Sequence, residues 1–262
     1  MSELKALIFD VDGTLADTEA NGHRVAFNKT FAEAGLNWHW SVELYGELLA
    51  VTGGKERILH YIQQHRPDFL APGDLGEFIA GLHRAKNDYY ADMVAAGEIP
   101  LRPGVRRLLL EAQQAGLRLA IATTTSLENV EALLEHSLET DAASWFEIIA
   151  AGDMVAAKKP APDIYHYTLE AMKLSSEECL AVEDSANGLR AALAAGLTTL
   201  VTVSDYTRDQ RFAGAALVVD QLGEPGQAMT VITGDAGRAA MIDVATLRHI
   251  HGSDSARIAE RA

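Results

Sequence analysis

The chain has 262 residues, and 37 acidic against 22 basic side chains give it a formal net charge of −15 at neutral pH. This charge argues against nucleic acid and against an anionic membrane surface as partners, because both require a basic face. The sequence has no apolar segment long enough to span a membrane and no signal or transit segment, and its single cysteine, Cys179, excludes an internal disulfide. We therefore expect a cytoplasmic protein.

The first predicted element is a strand at residues 4–9, a short apolar run that ends at a polar turn. A long helical segment follows this strand. Its four predicted helices span residues 19–34, 41–49, 56–64 and 74–95. Because strand signals resume only after Pro100 and Pro103, we interpret residues 16–97 as an inserted all-helical cap domain. A helical excursion within a single domain is the alternative.

Strand and helix signals alternate in the rest of the chain. Strands are predicted at residues 117–123, 146–150, 179–182, 198–203 and 216–219, and helices at 105–115, 127–136, 163–172, 186–195 and 241–249. This alternation predicts an α/β fold with a doubly wound parallel sheet. We expect residues 1–15 and 98–225 to form a Rossmann-like core and residues 226–262 to form a C-terminal extension.

Two carboxylates, Asp10 and Asp12, stand at the end of the first predicted strand in the segment DVDGT. Side chains two positions apart on an extended chain project to the same side, and two adjacent carboxylates are costly unless a cation such as Mg²⁺ neutralises them. An EF-hand loop is excluded, because its sixth and twelfth positions hold Leu15 and Asn21 instead of glycine and glutamate. A plain acidic turn and a structural metal site are the other interpretations.

Three further polar signals follow strands or lie in loops of the predicted core. Glu183 and Asp184 end the strand at 179–182, hydroxyl residues occupy positions 123–126, and Lys159 follows another lysine. Taken singly, the hydroxyls favour strand or helix-cap structure, and a lysine pair is typical of a solvated surface. Because an α/β sheet binds its ligand beyond the carboxyl ends of its strands, we expect these residues to form one site with the two aspartates.

This ordered series resembles the haloacid dehalogenase-like phosphohydrolase superfamily. The resemblance implies that Asp10 is the nucleophile and forms an aspartyl phosphate, and that Asp12 acts first as general acid and then as general base. It implies that Thr123 and the backbone N–H of Thr124 hold the transferring oxygens, and that Lys159 neutralises charge in the transition state. Thr124 stands where this superfamily often has asparagine, and the backbone donor is kept.

The same resemblance implies a Mg²⁺ ion, because a carboxylate and a phosphate dianion otherwise repel each other. Its ligands would be Asp10, the backbone carbonyl of Asp12, and Asp184, with Glu183 close by. In this superfamily the helical cap selects the substrate. Two glycine-containing or basic segments of the predicted cap, residues 53–57 and 83–86, are therefore either an anion site or ordinary solvated helix faces.

Seven segments together are similar to the CbbY family, the Rubisco-associated phosphatases that hydrolyse xylulose 1,5-bisphosphate to xylulose 5-phosphate. They are DVDGTLADTE, GHRVAFN, TGGKERI, HRAK, ATTTS, AAGDMVAAKKPAPDIY and VEDSANGLRAA, and the similarity spans residues 4–220. It implies a substrate site lined by Asp17, Gly53, Gly54, Lys55, Arg57, His83, Arg84, Lys86, Thr124, Thr125, Ser126 and Asn129. It also implies a functional link to Rubisco through removal of an inhibitory by-product, and we expect a monomer.

A bisphosphate substrate is consistent with the basic segments, since it carries roughly four negative charges at neutral pH. Phosphoglycolate phosphatase is an alternative on the same core, but a small monophosphate does not need two basic segments. β-Phosphoglucomutase is another; its family has a cap histidine at the twelfth position after the nucleophile. That position here is Gly22, and His23 lies about 100° further around an α-helix, which favours hydrolysis. A catalytically inactive binding protein is disfavoured because all core motifs are present.

Overall fold

The computed structural model describes residues 2–51, 53–152 and 154–259, with side chains described up to residue 253. Thr52 and Asp153, which belong to two of the motifs above, lie outside the described residues. The chain divides into two compact units. The core unit comprises Met1–Asp17 and Pro100–Ala262, and the helical unit comprises Thr18–Ile99.

The core unit contains a sheet that has seven strands among the described residues, in the order β3-β2-β1-β4-β5-β6-β7. The first six strands are mutually parallel, which confirms the predicted α/β fold, and β7 is antiparallel to β6. The strands are β1 (Ala6–Phe9), β2 (Arg118–Ala122), β3 (Ile148–Ala150), β4 (Cys179–Glu183), β5 (Thr198–Thr202), β6 (Leu217–Val219) and β7 (Val231–Gly234).

The register of the central strands places their carboxyl ends side by side. Phe9, the last residue of β1, is opposite Ile121 of β2 and Val182 of β4. Side chains on both faces of β1 are fully buried, which explains why this strand is a continuous apolar run. The residues that follow β1, β2 and β4 are consequently brought together at one edge of the sheet.

Strand β7 has no counterpart in the predicted elements. All four of its residues are exposed, and only two of them, Val231 and Ile232, are apolar, so the segment is shorter than the apolar runs that predict strands such as β1. Its pairing with β6 contains a register irregularity between Val218 and Val219. We therefore attribute this strand to its hydrogen-bonded pairing with β6, which cannot be predicted from the local sequence.

The helical unit contains only helices as regular structure in its described residues. They are a π-helical turn at Thr18–His23, followed by α1 (Arg24–Glu33), α2 (Val42–Leu48), α3 (Gly54–His65) and α4 (Leu75–Ala95). Ser41 caps α2 by accepting a hydrogen bond from Leu44 N, and Asp74 caps α4 by accepting one from Glu77 N. The core of this unit is aromatic: ring centroids of Phe27, Phe31, Trp38, Trp40, Tyr45 and Tyr61 lie between 4.6 and 6.2 Å from their neighbours.

The segment before α1, where His23 lies, is a π-helical turn and not an α-helix. A π-turn closes over one more residue than an α-turn, so it absorbs an extra residue without rotating the helix that follows. Gly22 is needed inside it, because a Cβ there would lie 2.8 Å from the ring of Tyr90 and 2.9 Å from the side chain of Ile99. The 100° offset predicted for His23 assumed an α-helix, whereas the structure has a π-helical turn at these residues. The preference for hydrolysis over isomerisation that was drawn from it stays a prediction.

The helices of the core unit are α5 (Val105–Gln114), α6 (Leu127–Ser137), α7 (Asp163–Met172), α8 (Ala186–Ala194) and α9 (Val244–Ala259). Small side chains on the strands, such as Ala120 and Ala181, pack with Tyr165 and Met172 of α7 in one buried cluster. The chain after β6 is held to α5, since the guanidinium of Arg107 donates to backbone carbonyls of that later segment. Within the described residues, no helix is both long and apolar enough to cross a membrane.

Candidate active site

Three buried carboxylates meet at the carboxyl ends of β1 and β4. Asp10 is 7% exposed, Glu183 0% and Asp184 6%, and one oxygen of each lies within 4.8 Å of the others. The backbone N–H of Asp10 donates to Val182 O at 3.0 Å, which fixes the end of β1 against β4. The aligned strands thus bring three carboxylates close enough together for one cation to contact all of them.

Lys159 supplies a positive charge to this cluster. Its Nζ donates to Asp10 Oδ1 at 2.7 Å, to Glu183 Oε1 at 2.6 Å and to Ala122 O at 2.8 Å. Burial alone would lower the pKa of Lys159, but the carboxylates of Asp10 and Glu183 outweigh it and hold the pKa well above its usual value. The ammonium group is therefore permanently charged beside Asp10.

Tyr165 is a site residue that sequence reasoning missed. Its hydroxyl donates to Glu183 Oε1 at 2.5 Å, and Lys159 Nζ lies 5.1 Å from the centre of its ring. Burial and the adjacent carboxylate raise the pKa of Tyr165 well above its usual value, so the hydroxyl stays a donor. At the sequence level Tyr165 is an ordinary apolar position of α7, and no local signal separates it from the core.

Asp184 is a buried acid close to the two other carboxylates of the cluster. Burial, followed by the negative charges of Asp10 and Glu183, holds its pKa well above the usual value for an aspartate. Ser204 Oγ donates to Asp184 Oδ2 at 3.1 Å. Gly13, with φ +80°, approaches the same oxygen so closely that a Cβ there would overlap the Asp184 carboxylate, so only glycine fits.

Asp12 and the hydroxyl residues after β2 form the next part of the site. Thr125 Oγ1 donates to Asp12 Oδ2, and Thr125 N donates to Thr123 Oγ1 at 3.2 Å. Thr123 is buried at the end of β2, and Asp12 is half-buried. The other predicted residues of this region, Thr124, Ser126 and Asn129, are exposed at the start of α6, and Asp17 is half-buried.

In the helical unit the structure brings together part of the predicted basic residues. Lys86 is 6% exposed; its Nζ lies 2.9 Å from His23 Nδ1 and between 5.1 and 5.3 Å from the ring centres of Tyr90 and Phe27. Burial, then Lys86, lowers the pKa of His23 well below its usual value. Lys86 is therefore a buried charge, held beside a neutral imidazole.

His83 belongs to the same basic region. Burial and then the charges of Lys86 and Lys55 lower its pKa, so its ring is neutral at pH 7. It packs on the start of α3, where a Cβ on Gly54 would lie 2.5 Å from the imidazole. Three predicted residues, Gly53, Lys55 and Arg84, are exposed.

Arg57 has a structural role that its sequence position did not reveal. Its guanidinium donates to Leu48 O at 3.2 Å, to Val51 O at 3.3 Å and to Tyr45 Oη at 2.9 Å. Glu19 in turn accepts a hydrogen bond from Tyr45 Oη at 2.7 Å. Arg57 thus joins α3 to the carboxyl end of α2, in addition to contributing positive charge near His23.

Comparison with known proteins shows the family of this chain. A family model described as haloacid dehalogenase-like hydrolase matches residues 4–196. Protein CbbY of Cupriavidus necator, carried on a plasmid, is 49% identical over 249 residues, which cover 95% of this chain and 97% of that protein. Protein CbbY of Cereibacter sphaeroides is 51% identical over 223 residues, covering 85% and 94% of the two chains.

A solved structure leads to the same family. The crystal structure of a CbbY variant from Rhodobacter sphaeroides in complex with xylulose 1,5-bisphosphate is 50% identical, has a TM-score of 0.70, and covers 85% of this chain and 96% of that one. These similarities extend over both units of the chain, and the core unit supplies the acidic cluster that hydrolases of this kind need for a metal ion. The chain belongs to the CbbY family of the haloacid dehalogenase-like hydrolases, and it is a phosphatase.

Proposed function

We propose that this phosphatase is Mg²⁺-dependent and hydrolyses xylulose 1,5-bisphosphate to xylulose 5-phosphate. The observation that carries the reaction class is the buried arrangement of Asp10, Lys159, Glu183 and Asp184 at the carboxyl ends of adjacent parallel strands. The choice of substrate is supported by the relative of 50% identity that binds xylulose 1,5-bisphosphate in its crystal structure. In that role the enzyme removes an inhibitory by-product of Rubisco.

The donor set of the site fits a magnesium ion. Asp10 and Asp184 offer carboxylate oxygens, and Glu183 lies next to them. The resemblance to the superfamily implies the backbone carbonyl of Asp12 as a further ligand. All are hard oxygen ligands of the kind that Mg²⁺ prefers, and three carboxylates so close together favour a divalent cation between them. When bound, the ion lowers the repulsion between the attacking carboxylate and the phosphate dianion.

In the proposed first step, an oxygen of Asp10 attacks phosphorus and the bond from phosphorus to the sugar oxygen breaks. Asp12, held by the hydroxyl of Thr125, gives its proton to that leaving oxygen. Lys159 remains charged beside Asp10 and stabilises the negative charge on the transferring oxygens, with Thr123 and the backbone N–H of Thr124 as further donors. The product of this step is xylulose 5-phosphate and an aspartyl phosphate on Asp10.

In the proposed second step, the carboxylate of Asp12 takes a proton from water as the water oxygen attacks phosphorus. The bond between phosphorus and the Asp10 oxygen breaks, which releases inorganic phosphate and restores both carboxyl groups. Glu183 does not exchange protons in this scheme. It accepts hydrogen bonds from Lys159 and Tyr165, so its role is to hold the ammonium group against Asp10.

The phosphate that is not cleaved needs cations of its own. We assign this role to the basic residues of the helical unit, with exposed Lys55 and Arg84 as direct contacts and His83 as a hydrogen-bonding group. Helix α3 begins at Gly54, so the backbone N–H groups of its first turn can donate hydrogen bonds to a phosphate beside Lys55. Buried Lys86 adds positive potential rather than a direct contact.

A phosphate-release assay over pentose and hexose mono- and bisphosphates tests the proposal. We expect Mg²⁺-dependent release with xylulose 1,5-bisphosphate as the preferred substrate, and xylulose 5-phosphate as the product identified by NMR. Ribulose 1,5-bisphosphate and 2-phosphoglycolate are the informative competitors. Preference for either of them, or isomerisation of a hexose phosphate without net phosphate release, would contradict the proposed reaction. The family assignment would be unaffected, because it rests on sequence and structure similarity.

A further inference from the structure

The guanidinium group of Arg102 joins three separate segments of the core unit. Its Nη1 donates to the carbonyl of Gly13 and, at 2.7 Å, to the carbonyl of Thr202. Its Nη2 donates to the carbonyls of Val203 at 2.6 Å and Asp220 at 2.8 Å. These carbonyls belong to the turn after β1, the end of β5 and the segment after β6.

The same residue also holds the turn after β1 through its backbone. Arg102 N donates to Leu15 O at 2.9 Å, and within the turn Gly13 N donates to Ala16 O at 2.8 Å. This turn begins at Asp12, whose backbone carbonyl belongs to the proposed metal site. Both ends of the Arg102 residue, main chain and guanidinium, therefore bond to the turn that carries this carbonyl.

The groups held by Arg102 are the immediate neighbours of Asp184. Gly13 lies so close to the Asp184 carboxylate that a Cβ would overlap it. Ser204, the residue after Val203, donates to Asp184 Oδ2 at 3.1 Å. One planar guanidinium thus bonds the backbone of two segments that both approach Oδ2 of Asp184.

We propose that Arg102 is a positioning residue for the metal site: it sets the separation between the turn carrying Asp12 and the carboxylate of Asp184, and so determines the affinity for the metal ion. This inference rests on the proposed function, since it requires a cation at those two residues. Arginine is needed because its rigid fork reaches four carbonyls at once, which the single ammonium group of lysine cannot do. Groups that orient metal ligands typically change metal affinity by about 10- to 100-fold when removed.

Arg107 provides a matched control in the same unit. Its guanidinium also binds backbone carbonyls, those of Leu222 at 3.2 Å, Gly223 at 3.0 Å and Ile242 at 2.8 Å. These contacts hold the C-terminal segment to α5 and involve none of the proposed ligands. Substitution of either arginine by lysine removes the same kind of hydrogen bonds, so only the effect on the metal site should differ.

The test is the affinity for Mn²⁺, measured from the EPR signal of the free ion, in the wild type, Arg102→Lys and Arg107→Lys. We expect Arg102→Lys to bind Mn²⁺ at least about tenfold more weakly and Arg107→Lys to bind within about twofold of the wild type, although both lower the melting temperature. A wild type that binds no Mn²⁺ contradicts the proposed function. A wild type that binds, with Arg102→Lys equal to it, overturns the inference about Arg102 alone.

Hydrogen exchange of the wild type covers the case in which Arg102→Lys does not fold. Mg²⁺ should slow exchange of the Gly13 and Arg102 amides, because both lie in the turn whose position the metal fixes. The amide of Ile242, bonded to Leu222 O at 2.8 Å in the segment held by Arg107, should be unchanged. Equal exchange of Gly13 and Arg102 with and without Mg²⁺ would overturn the proposal.

Discussion

The two units of this chain bury ionisable groups in opposite ways. The core unit gathers Asp10, Glu183 and Asp184 around Lys159, whose ammonium group is shared between two of the three acids. The helical unit buries Lys86, half-buries His23 and His83, and keeps both imidazoles neutral. The first arrangement has an excess of negative charge and favours a further cation, whereas the second has an excess of positive charge and favours an anion.

This difference predicts that substitutions in the core unit change the chemical step, while substitutions in the helical unit change substrate affinity. The largest effect is expected for Asp10→Asn, which removes the nucleophile and keeps its size. Phosphate release should fall by about 10⁴-fold or more, with an unchanged circular dichroism spectrum. The melting temperature should be equal or higher, because one of three crowded carboxylates is gone. Asp205→Asn, at an exposed acid of the same unit, is the control.

The second effect in size is expected at Lys159. Lys159→Met should lower kcat by about 10²- to 10³-fold, because the charge that stabilises the transferring oxygens is lost. It should also lower the melting temperature, since Asp10 and Glu183 lose their shared cation. Lys158→Met changes the adjacent, exposed lysine and should leave kcat within about twofold. Similar kcat losses in the two variants would show that Lys159 does not act on the reacting group.

A smaller effect, confined to KM, is expected in the helical unit. Lys55→Ala and Arg84→Ala should each raise KM for the bisphosphate by about tenfold, which corresponds to ~1.4 kcal/mol, and leave KM for a sugar monophosphate unchanged. Arg57→Ala should in addition lower the melting temperature, because Arg57 bonds the end of α2. Lys29→Ala, at an exposed lysine paired with Glu98, is the control. Equal changes in KM for the bisphosphate and the monophosphate would show that these residues do not bind the second phosphate.

The smallest effect is a dependence of stability on pH. The pKa of His23 is lowered in the folded protein by burial and by Lys86, so the unfolded chain binds more protons between that value and the ordinary pKa of 6.5. The stability of the helical unit should be complete above pH 6.5 and fall below it, by at most about 1.4 kcal/mol per pH unit for one histidine. Urea unfolding followed by Trp38 and Trp40 in a Trp145→Phe background measures this.

His23→Asn is the matched variant for that measurement. It keeps a hydrogen-bonding group of similar size beside Lys86 and removes the titrating imidazole. The loss of stability below pH 6.5 should shrink, with His83 accounting for what remains because its pKa is also lowered. An identical pH dependence in wild type and His23→Asn would mean that His23 is equally easy to protonate in the folded and unfolded chains.

Much of the fold was predictable because its strands are buried on both faces. Segments such as residues 6–9 and 179–183 are short apolar runs that end in acids, and both the run and the acid are visible in the sequence. Strand β7 could not be predicted, since its residues are exposed and it depends on pairing with β6. The π-helical turn at Thr18–His23 was equally hidden, because residue counting assumes an α-helical period.

The site divides in the same way. Asp10 and Asp184 are polar residues where an apolar run stops, so the pattern that predicts the strands also marks them. Lys159 lies in the loop between β3 and α7, and it was predicted only through the resemblance to a known superfamily. Tyr165 and Arg102 carry no such mark. Tyr165 occupies an apolar position of α7, and Arg102 follows a proline-containing loop and makes its bonds to carbonyls that are distant in sequence, up to Asp220. Contacts of that range are properties of the folded chain and not of any local pattern.

The π-helical turn has a consequence for comparing relatives by alignment. If residues are counted from Asp10, the twelfth position falls on Gly22, and His23 follows it. A turn that accommodates one surplus residue allows a one-residue insertion to arise between Thr18 and His23 while the helix that follows keeps its orientation. Relatives in this stretch are therefore better compared by superposing their side chains than by counting residues from Asp10.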